Sequence, residues 1–444
     1  MDPVTIGIVV TVVMVALLLL RIPIAVVLVS TGYVGLVLVM AVRTGEFDLA
    51  RGLSTANQFL SDLPYSSTAE YTFTTIPMFL LMGYLATEAG FTRDIYQTAR
   101  LWLARVPGGL AVASSVGCAL FAAISGSSLA TAAAMGRMAI PEMLKHGYDK
   151  RLATGVVAAS GTLGSLIPPS ILMILYAVFT DQSIAKLFIA GIVPGILSLG
   201  IYVGFVMLRS KMNPALAPPV PKVDMAEKMA ALKKSWNMLA LIALIVIGLY
   251  SGIFTPSEAG AVGAAVAFLM CIVTRRLDGE KTRNALNETL KTTSMLFAAV
   301  IGAYMVTSFT ALTGIASELT SWAGNLDVPP VVILLSLTVL YVFLGTFMGS
   351  IEIMLLTLPV VIPIIKGLEY DLIWFGIIMI KYLEIGMITP PVGINCFIIK
   401  GVVGRSVSLG QIFHGVTWFI VLDVITVAIL ILFPDLVTFL PNLM

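Results

Sequence analysis

The chain has 444 residues, of which 59% are hydrophobic and 11% charged, and its formal net charge is +2. An average soluble domain carries about 25% charged residues, so this composition excludes an ordinary soluble fold, and the near balance of charge gives no sign of a nucleic-acid partner. Apolar runs recur along the whole length, and because they are continuous rather than alternating they point to membrane-spanning helices and not to a barrel.

In chain order, the first apolar run follows Met-Asp-Pro with no basic residue before it, so it is expected to stay as a span rather than be cleaved as a signal peptide. Ten spans are expected, at about 4–20, 22–42, 71–90, 152–178, 184–208, 236–253, 255–274, 292–313, 373–399 and 407–433. Segments 43–70 and 275–291 are more polar and read as helices lying along the interface. Pro214, Pro218, Pro219 and Pro221 make an insert at 209–235 extended, and Lys222–Trp236 reads as a short surface helix resting on anionic lipid. Two further apolar stretches, 108–145 and 328–366, are interrupted near their middles by Ser125-Gly126-Ser127-Ser128 and by Gly345-Thr346-Phe347-Met348-Gly349-Ser350. Each reads as a re-entrant hairpin with a small, uncharged tip, although counting spans alone also permits two full crossings. Cys118, Cys271 and Cys396 stand alone in apolar surroundings and read as packed thiols.

Sliding the sequence by 222 residues brings Phe121 onto Phe343, Ser128 onto Ser350, Pro141 onto Pro363, Tyr148-Asp149 onto Tyr370-Asp371, Gly164 onto Gly386 and Pro168-Pro169 onto Pro390-Pro391. The halves, 1–222 and 223–444, are therefore related. Each holds five spans and one hairpin, an odd number of crossings, so the second half is expected upside down relative to the first. With the N-terminus outside, 20 of the 26 Lys and Arg fall on the inner side, including Arg21, Arg93, Arg100, Lys150, Lys222, Arg276 and Lys281, and four fall outside. That split predicts a cytoplasmic basic side and two periplasmic termini.

The chemistry sits where a hairpin tip is followed by a broken helix, at 152–178 and again at 373–399. Consecutive prolines remove two N–H donors, so the carbonyls of Gly164 to Ile167 and of Gly386 to Thr389 are expected to lose their intrahelical partners. Unpaired carbonyls at membrane depth suit a sodium ion, with Ser and Thr hydroxyls of the tip as further ligands. The helix N-termini that open after each break suit an anionic substrate. Ser127, Ser170 and Asn395 are accordingly expected to line the substrate path.

Ala119–Met135 (ALFAAISGSSLATAAAM), Gly161–Ser170 with its IPPS, Phe254–Ala259 (FTPSEA) and Ile388–Gly393 (ITPPVG) together resemble the large permease subunit of TRAP (tripartite ATP-independent periplasmic) transporters, over essentially the whole chain. The resemblance implies an all-α inner-membrane protein with two inverted repeats and an elevator-type, sodium-driven mechanism. It implies a small four-helix membrane subunit and a periplasmic binding protein as partners, and an organic acid anion as substrate. It also implies two sodium sites: one at Ser125, Ser128, Gly164, Ile167 and Pro169, the other at Gly345, Ser350, Gly386, Thr389 and Pro391. The hairpins and broken helices, 108–179 and 328–399, are then the moving unit.

A self-sufficient sodium–carboxylate symporter of the same plan is the alternative. A serine hydrolase using Ser125 or Ser127 lacks a nearby base, so no enzyme is expected. Glu258 reads as half of a capping box, Lys381 and Glu384 as a mutually neutralising pair, and Arg137 as a side chain that snorkels or pairs. Glu352, two residues past the second tip, is a functional candidate as an intramembrane acid.

Overall fold

A computed structural model describes residues 2–20, 22–43, 47–219, 223–325 and 328–443, with backbone alone for 322–325. Arg21, Pro221 and Lys222 lie outside the described residues. Every regular element described is a helix. Seven are long and apolar enough to cross a membrane, and five more apolar helices run 10–17 residues.

The first half opens with α1 (Pro3–Leu19), α2 (Ile24–Val42) and α3 (Leu49–Thr68). After a 3-10 turn come α4 (Thr75–Glu88) and the amphipathic α5 (Phe91–Leu103). Hairpin one is α6 (Gly109–Ser125) and α7 (Ser128–Lys145). The first broken helix is α8 (Lys150–Thr162), a 3-10 turn at Leu163–Ser165 and α9 (Ile171–Thr180), and α10 (Ile184–Met212) follows. In the second half α11 (Met225–Tyr250), α12 (Pro256–Val273), α13 (Gly279–Thr313) and α14 (Ile315–Asn325) lead to hairpin two, α15 (Pro330–Gly345) and α16 (Ser350–Gly367). The second broken helix is α17 (Leu372–Ile388) and α18 (Ile394–Val403), and α19 (Leu409–Leu432) ends the bundle.

The 222-residue register reappears in the elements: α7 and α16 start at Ser128 and Ser350, and α8 and α17 start at Lys150 and Leu372. Asp149 caps α8 and Asp371 caps α17 with the same kind of bond, a carboxylate accepting backbone N–H groups of the first turn. Packing follows the register with partners exchanged. α2 lies on α13 while α4 lies on α12; α8 lies on α19 while α17 lies on α10; α7 lies on α18 while α16 lies on α9. Small residues make the first two seams close. A Cβ at Gly302 would fall 2.6 Å from Leu28 Cβ, and one at Gly263 2.6 Å from Met82 Sδ.

The broken helices run antiparallel. Tyr176 near the end of α9 donates to the carbonyl of Leu372 at the start of α17, 2.6 Å, while Lys150 at the start of α8 donates to Ser406 beyond α18, 2.9 Å. The tip of each hairpin lies level with the adjacent break. The helix beyond the break runs on for ten residues, about 15 Å at 1.5 Å per residue, so the hairpins turn back inside the bundle. Almost all of α6 is buried against protein, the environment that a small polar tip at membrane depth requires.

Several expectations are corrected. Lys222–Trp236 is not a separate helix on lipid. From Met225 onward it is the first part of α11, which no Gly or Pro interrupts before Tyr250. It is held on α5, whose Thr98 hydroxyl donates to Ala231 O at 2.9 Å and whose Trp102 Nε1 donates to Lys228 O at 3.3 Å. Segment 275–291 is likewise not an independent interfacial helix: from Gly279 it forms the opening turns of the 35-residue α13, capped by Asp278. The expected span 71–90 is only the 14-residue α4 behind its 3-10 turn, about 21 Å of α-helix.

The basic loops assigned to one side are joined in the structure. Arg276 pairs with Asp94, Arg100 pairs with Glu142, and Asp149 N–H donates to Leu216 O at 2.9 Å.

Candidate functional site

The hairpin tips and helix breaks meet at two junctions built alike. In the first, the Ile171 N–H just after the break donates to the tip carbonyl of Gly126 at 3.2 Å. In the second, the Gly393 N–H, 222 residues on, donates to the tip carbonyl of Thr346 at 3.3 Å. Gly126 has φ +58°, and a Cβ there would fall 2.7 Å from Pro169 O, so the tip reaches the break only as glycine. Gly345 and Gly386 face each other so closely that a Cβ on Gly386 would lie 2.5 Å from Gly345 Cα. Both proline pairs, Pro168–Pro169 and Pro390–Pro391, have cis peptide bonds.

At junction one Ser128 Oγ donates to Thr162 O at 3.2 Å and touches Ser165 Oγ, and Ser125 Oγ lies 2.9 Å from Thr131 Oγ1. Gly164 abuts the Ser127 carbonyl, and Pro169 abuts Gly126. Ile167 turns its side chain toward Gly195 of α10. At junction two Ser350 Oγ meets Met387 Sδ at 2.8 Å, and Thr389 Oγ1 donates back to Ile385 O at 2.6 Å, while Pro391 is exposed. Met387 stands where the register puts Ser165 of the first half, so a soft thioether replaces a hydroxyl at the second junction.

The set of unpaired carbonyls is narrower than expected. Pro168 and Pro169 do remove the donors that would normally reach Gly164 and Ser165, but Ser170 Oγ donates to Ser165 O at 2.5 Å. In the second half the Thr389 N–H reaches Gly386 O at 3.1 Å. A helix break recruits the nearest local donor, which a sequence pattern does not specify.

Of the three expected substrate-path residues, Ser127 lines an open chamber of about 390 Å³ between hairpin one, α4, α13 and Ile351 of hairpin two. Ser170 is fully buried and caps α9. Asn395 is fully buried too, with Nδ2 donating to Ala158 O at 3.3 Å and Oδ1 unpartnered. A second cleft, about 400 Å³, lies between the tip of hairpin two and the α1–α2 corner, with Glu352, Phe347 and Phe397 in its wall.

The Lys381–Glu384 pair is part of a larger cluster. Lys381 Nζ lies 2.8 Å from Glu384 Oε2 and 2.6 Å from Asp423 Oδ1, and the Tyr202 hydroxyl donates to the same Asp423 oxygen at 2.7 Å. All three charged side chains are fully buried. The cluster fastens α17 to α19 and α10. Asp423 went unread because it sits alone in the apolar run of α19, 42 residues from its partner. Glu258 is as expected: its carboxylate accepts from the Thr255 N–H at 2.8 Å while its own N–H donates to Thr255 Oγ1 at 3.3 Å.

Two hairpin–break junctions inside a helical bundle, repeated in register, define a membrane transporter of the secondary type. The chain matches the family model of the "Tripartite ATP-independent periplasmic transporter, DctM component" over residues 11–436. It is 38% identical over 369 residues to the C4-dicarboxylate TRAP transporter large permease protein DctM of Pseudomonas aeruginosa, covering 82% of this chain and 85% of that one. It is 30% identical to the sialic acid TRAP transporter large permease protein SiaM of Vibrio cholerae, covering 88% and 91%. Among solved structures the Alcanivorax borkumensis YdaH transporter shares the fold, with TM-score 0.62 and 14% identity over 86% of this chain and 90% of that one. The chain therefore belongs to the large permease (DctM) family of TRAP transporters, multi-pass membrane proteins that are permeases and not enzymes.

Proposed function

We propose that this chain is the sodium-coupled permease subunit of a binding-protein-dependent importer for a small organic acid anion, working by an elevator movement. The observation that carries the reading is the matched pair of tip-to-break hydrogen bonds, Ile171 to Gly126 and Gly393 to Thr346. They join each hairpin to its broken helix around Ser128 and Ser350, where oxygen ligands and break carbonyls converge for a cation. Junction one offers more oxygens than junction two, so the first sodium site is the stronger.

The exchanged packing pairs support two inverted halves able to trade conformations. The moving body we infer is larger than the hairpins and broken helices alone. The buried Lys381–Asp423–Tyr202 contacts carry α10 and α19 with α17, leaving α1–α4 and α11–α14 as scaffold. The basic loops then face the cytoplasm of a bacterial cell and both termini the periplasm. A small four-helix membrane subunit covers the scaffold, and a periplasmic protein delivers the substrate. Membership in a tripartite family favours this partnered form over a self-sufficient symporter. The relatives' names span C4-dicarboxylates and sialic acid, both carboxylates.

The test is uptake into proteoliposomes holding the chain, its small subunit and its binding protein, with a panel of organic acids. Uptake is expected only for carboxylates and only with an inward sodium gradient. Equal uptake with potassium or choline in place of sodium rejects the reading.

A further inference from the structure

The chamber at the first hairpin tip adjoins a second, wider cleft of about 620 Å³ on the side of the basic loops, and both are lined by Thr87, Ala134 and Arg137. Arg137 therefore stands at their junction. It lies nine residues past Ser128 on α7, about 14 Å from the tip at 1.5 Å per residue. A smaller recess behind it, lined by Arg93 and Arg100, also includes Arg137. The side chains of Arg93 and Arg137 are exposed to this space.

The charges around this space do not cancel. Arg276 is taken by Asp94, and Arg100 is taken by Glu142. Lys281 donates to the Arg276 carbonyl at 3.0 Å, which satisfies a hydrogen bond but leaves its charge uncompensated. Glu88 is the remaining acid in the wall. Among the described residues no carboxylate lies within ion-pair distance of Arg93 or Arg137. Guanidinium groups in a partly enclosed cleft attract and orient carboxylates, bidentately where geometry allows. Low-dielectric walls strengthen that field.

We propose that Arg137, with Arg93, forms an anion site at the exit of the substrate chamber, which takes a carboxylate of the organic acid as it leaves the hairpin tip. This rests on the permease reading. The site explains why α7 carries a basic side chain on the face turned toward the chamber. The register partner of Arg137 in the other half is Pro359, so the charge belongs to one side of the molecule only. A carboxylate is the common chemistry of the substrates named for the relatives, whereas an anionic lipid headgroup is the competing occupant.

Met138 lines the cleft next to Arg137 and offers a reporter position, while the three natural cysteines are buried. The experiment uses the full chain with its partner subunits, carrying Met138→Cys, in phosphatidylcholine liposomes with or without phosphatidylglycerol. Modification rates are measured for an anionic and a cationic methanethiosulfonate of similar size, with and without succinate. The anionic reagent is expected to react faster. Arg137→Gln and Arg93→Gln should each reduce that preference by about threefold, and Arg137→Lys should preserve it. Succinate should slow modification in neutral liposomes, and Arg137→Gln should remove the protection. No preference for the anionic reagent overturns the proposal, and so does protection by phosphatidylglycerol but not by succinate. Sodium-driven uptake by the same preparation tells the two failures apart. Intact uptake without charge preference sinks the exit site alone, and absent uptake sinks the permease reading with it.

Discussion

At the scale of single residues the strongest constraints are burial and close approach. Lys381 has two carboxylates within 2.8 Å and no access to water. Replacing it with methionine leaves Glu384 and Asp423 buried beside each other, which is expected to cost about 3–5 kcal/mol. Thermal unfolding of the purified protein should show a large drop for Lys381→Met. Replacing all three by apolar residues of similar volume should recover much of it, because the desolvation cost disappears with the charges. A triple variant no more stable than the single one would contradict this account. Gly386→Val is expected to abolish transport, since even a Cβ would meet the Gly345 backbone. Ser128→Ala should weaken sodium binding more than Ser350→Ala, because Ser128 sits among Thr162 O and Ser165 Oγ while Ser350 faces a thioether. Sodium-induced stabilisation, read as the rise in melting temperature with sodium concentration, checks the order. Equal loss in both variants would remove the asymmetry we infer.

At the scale of elements, much was legible because proline, glycine and capping residues act locally. The Pro-Pro breaks, the hairpin tips and the paired Tyr-Asp helix starts stand 222 residues apart in sequence and again in structure. What escaped reading depends on long-range packing or on the absence of a local signal. Nothing in Met225–Trp236 says whether a polar helix stops before the apolar stretch, and α5 decides it by binding Thr98 and Trp102 to that segment. Which break carbonyls stay free was equally hidden, because Ser170 and the Thr389 N–H fold back on their own turns. Asp423 offered no periodic cue at all. For the mechanism, the element-scale prediction concerns Thr292 of α13 and Ile351 of α16, which line one chamber from opposite bodies. Cysteines at these positions, bridged by a bifunctional reagent, should stop uptake until the bridge is cleaved. A bridge between α7 and α18, both in the moving body, should leave uptake unchanged. Full uptake by the Thr292–Ile351 bridged protein would favour a local gate at the tips over a sliding body.

At the scale of the whole molecule, two inverted halves place the two cation junctions back to back within one body, so ion binding and substrate movement share a single rigid unit. The side assignment follows from the basic loops, which the structure gathers through Arg276–Asp94 and Arg100–Glu142. In intact cells, cysteine at Lys233 should resist an impermeant label while cysteine at Asn442 accepts it, and the reverse pattern would turn the molecule over. The claim on which the rest depends is that sodium, held at the two junctions, drives uptake. Its most direct measurement is the initial rate of substrate uptake against sodium concentration, at fixed membrane potential, in proteoliposomes with the complete transporter. The account predicts a sigmoidal dependence for the wild type and a marked rise in half-saturating sodium for Ser128→Ala. Uptake driven by a proton gradient without sodium, or a sodium response unchanged by both Ser128→Ala and Ser350→Ala, would contradict it.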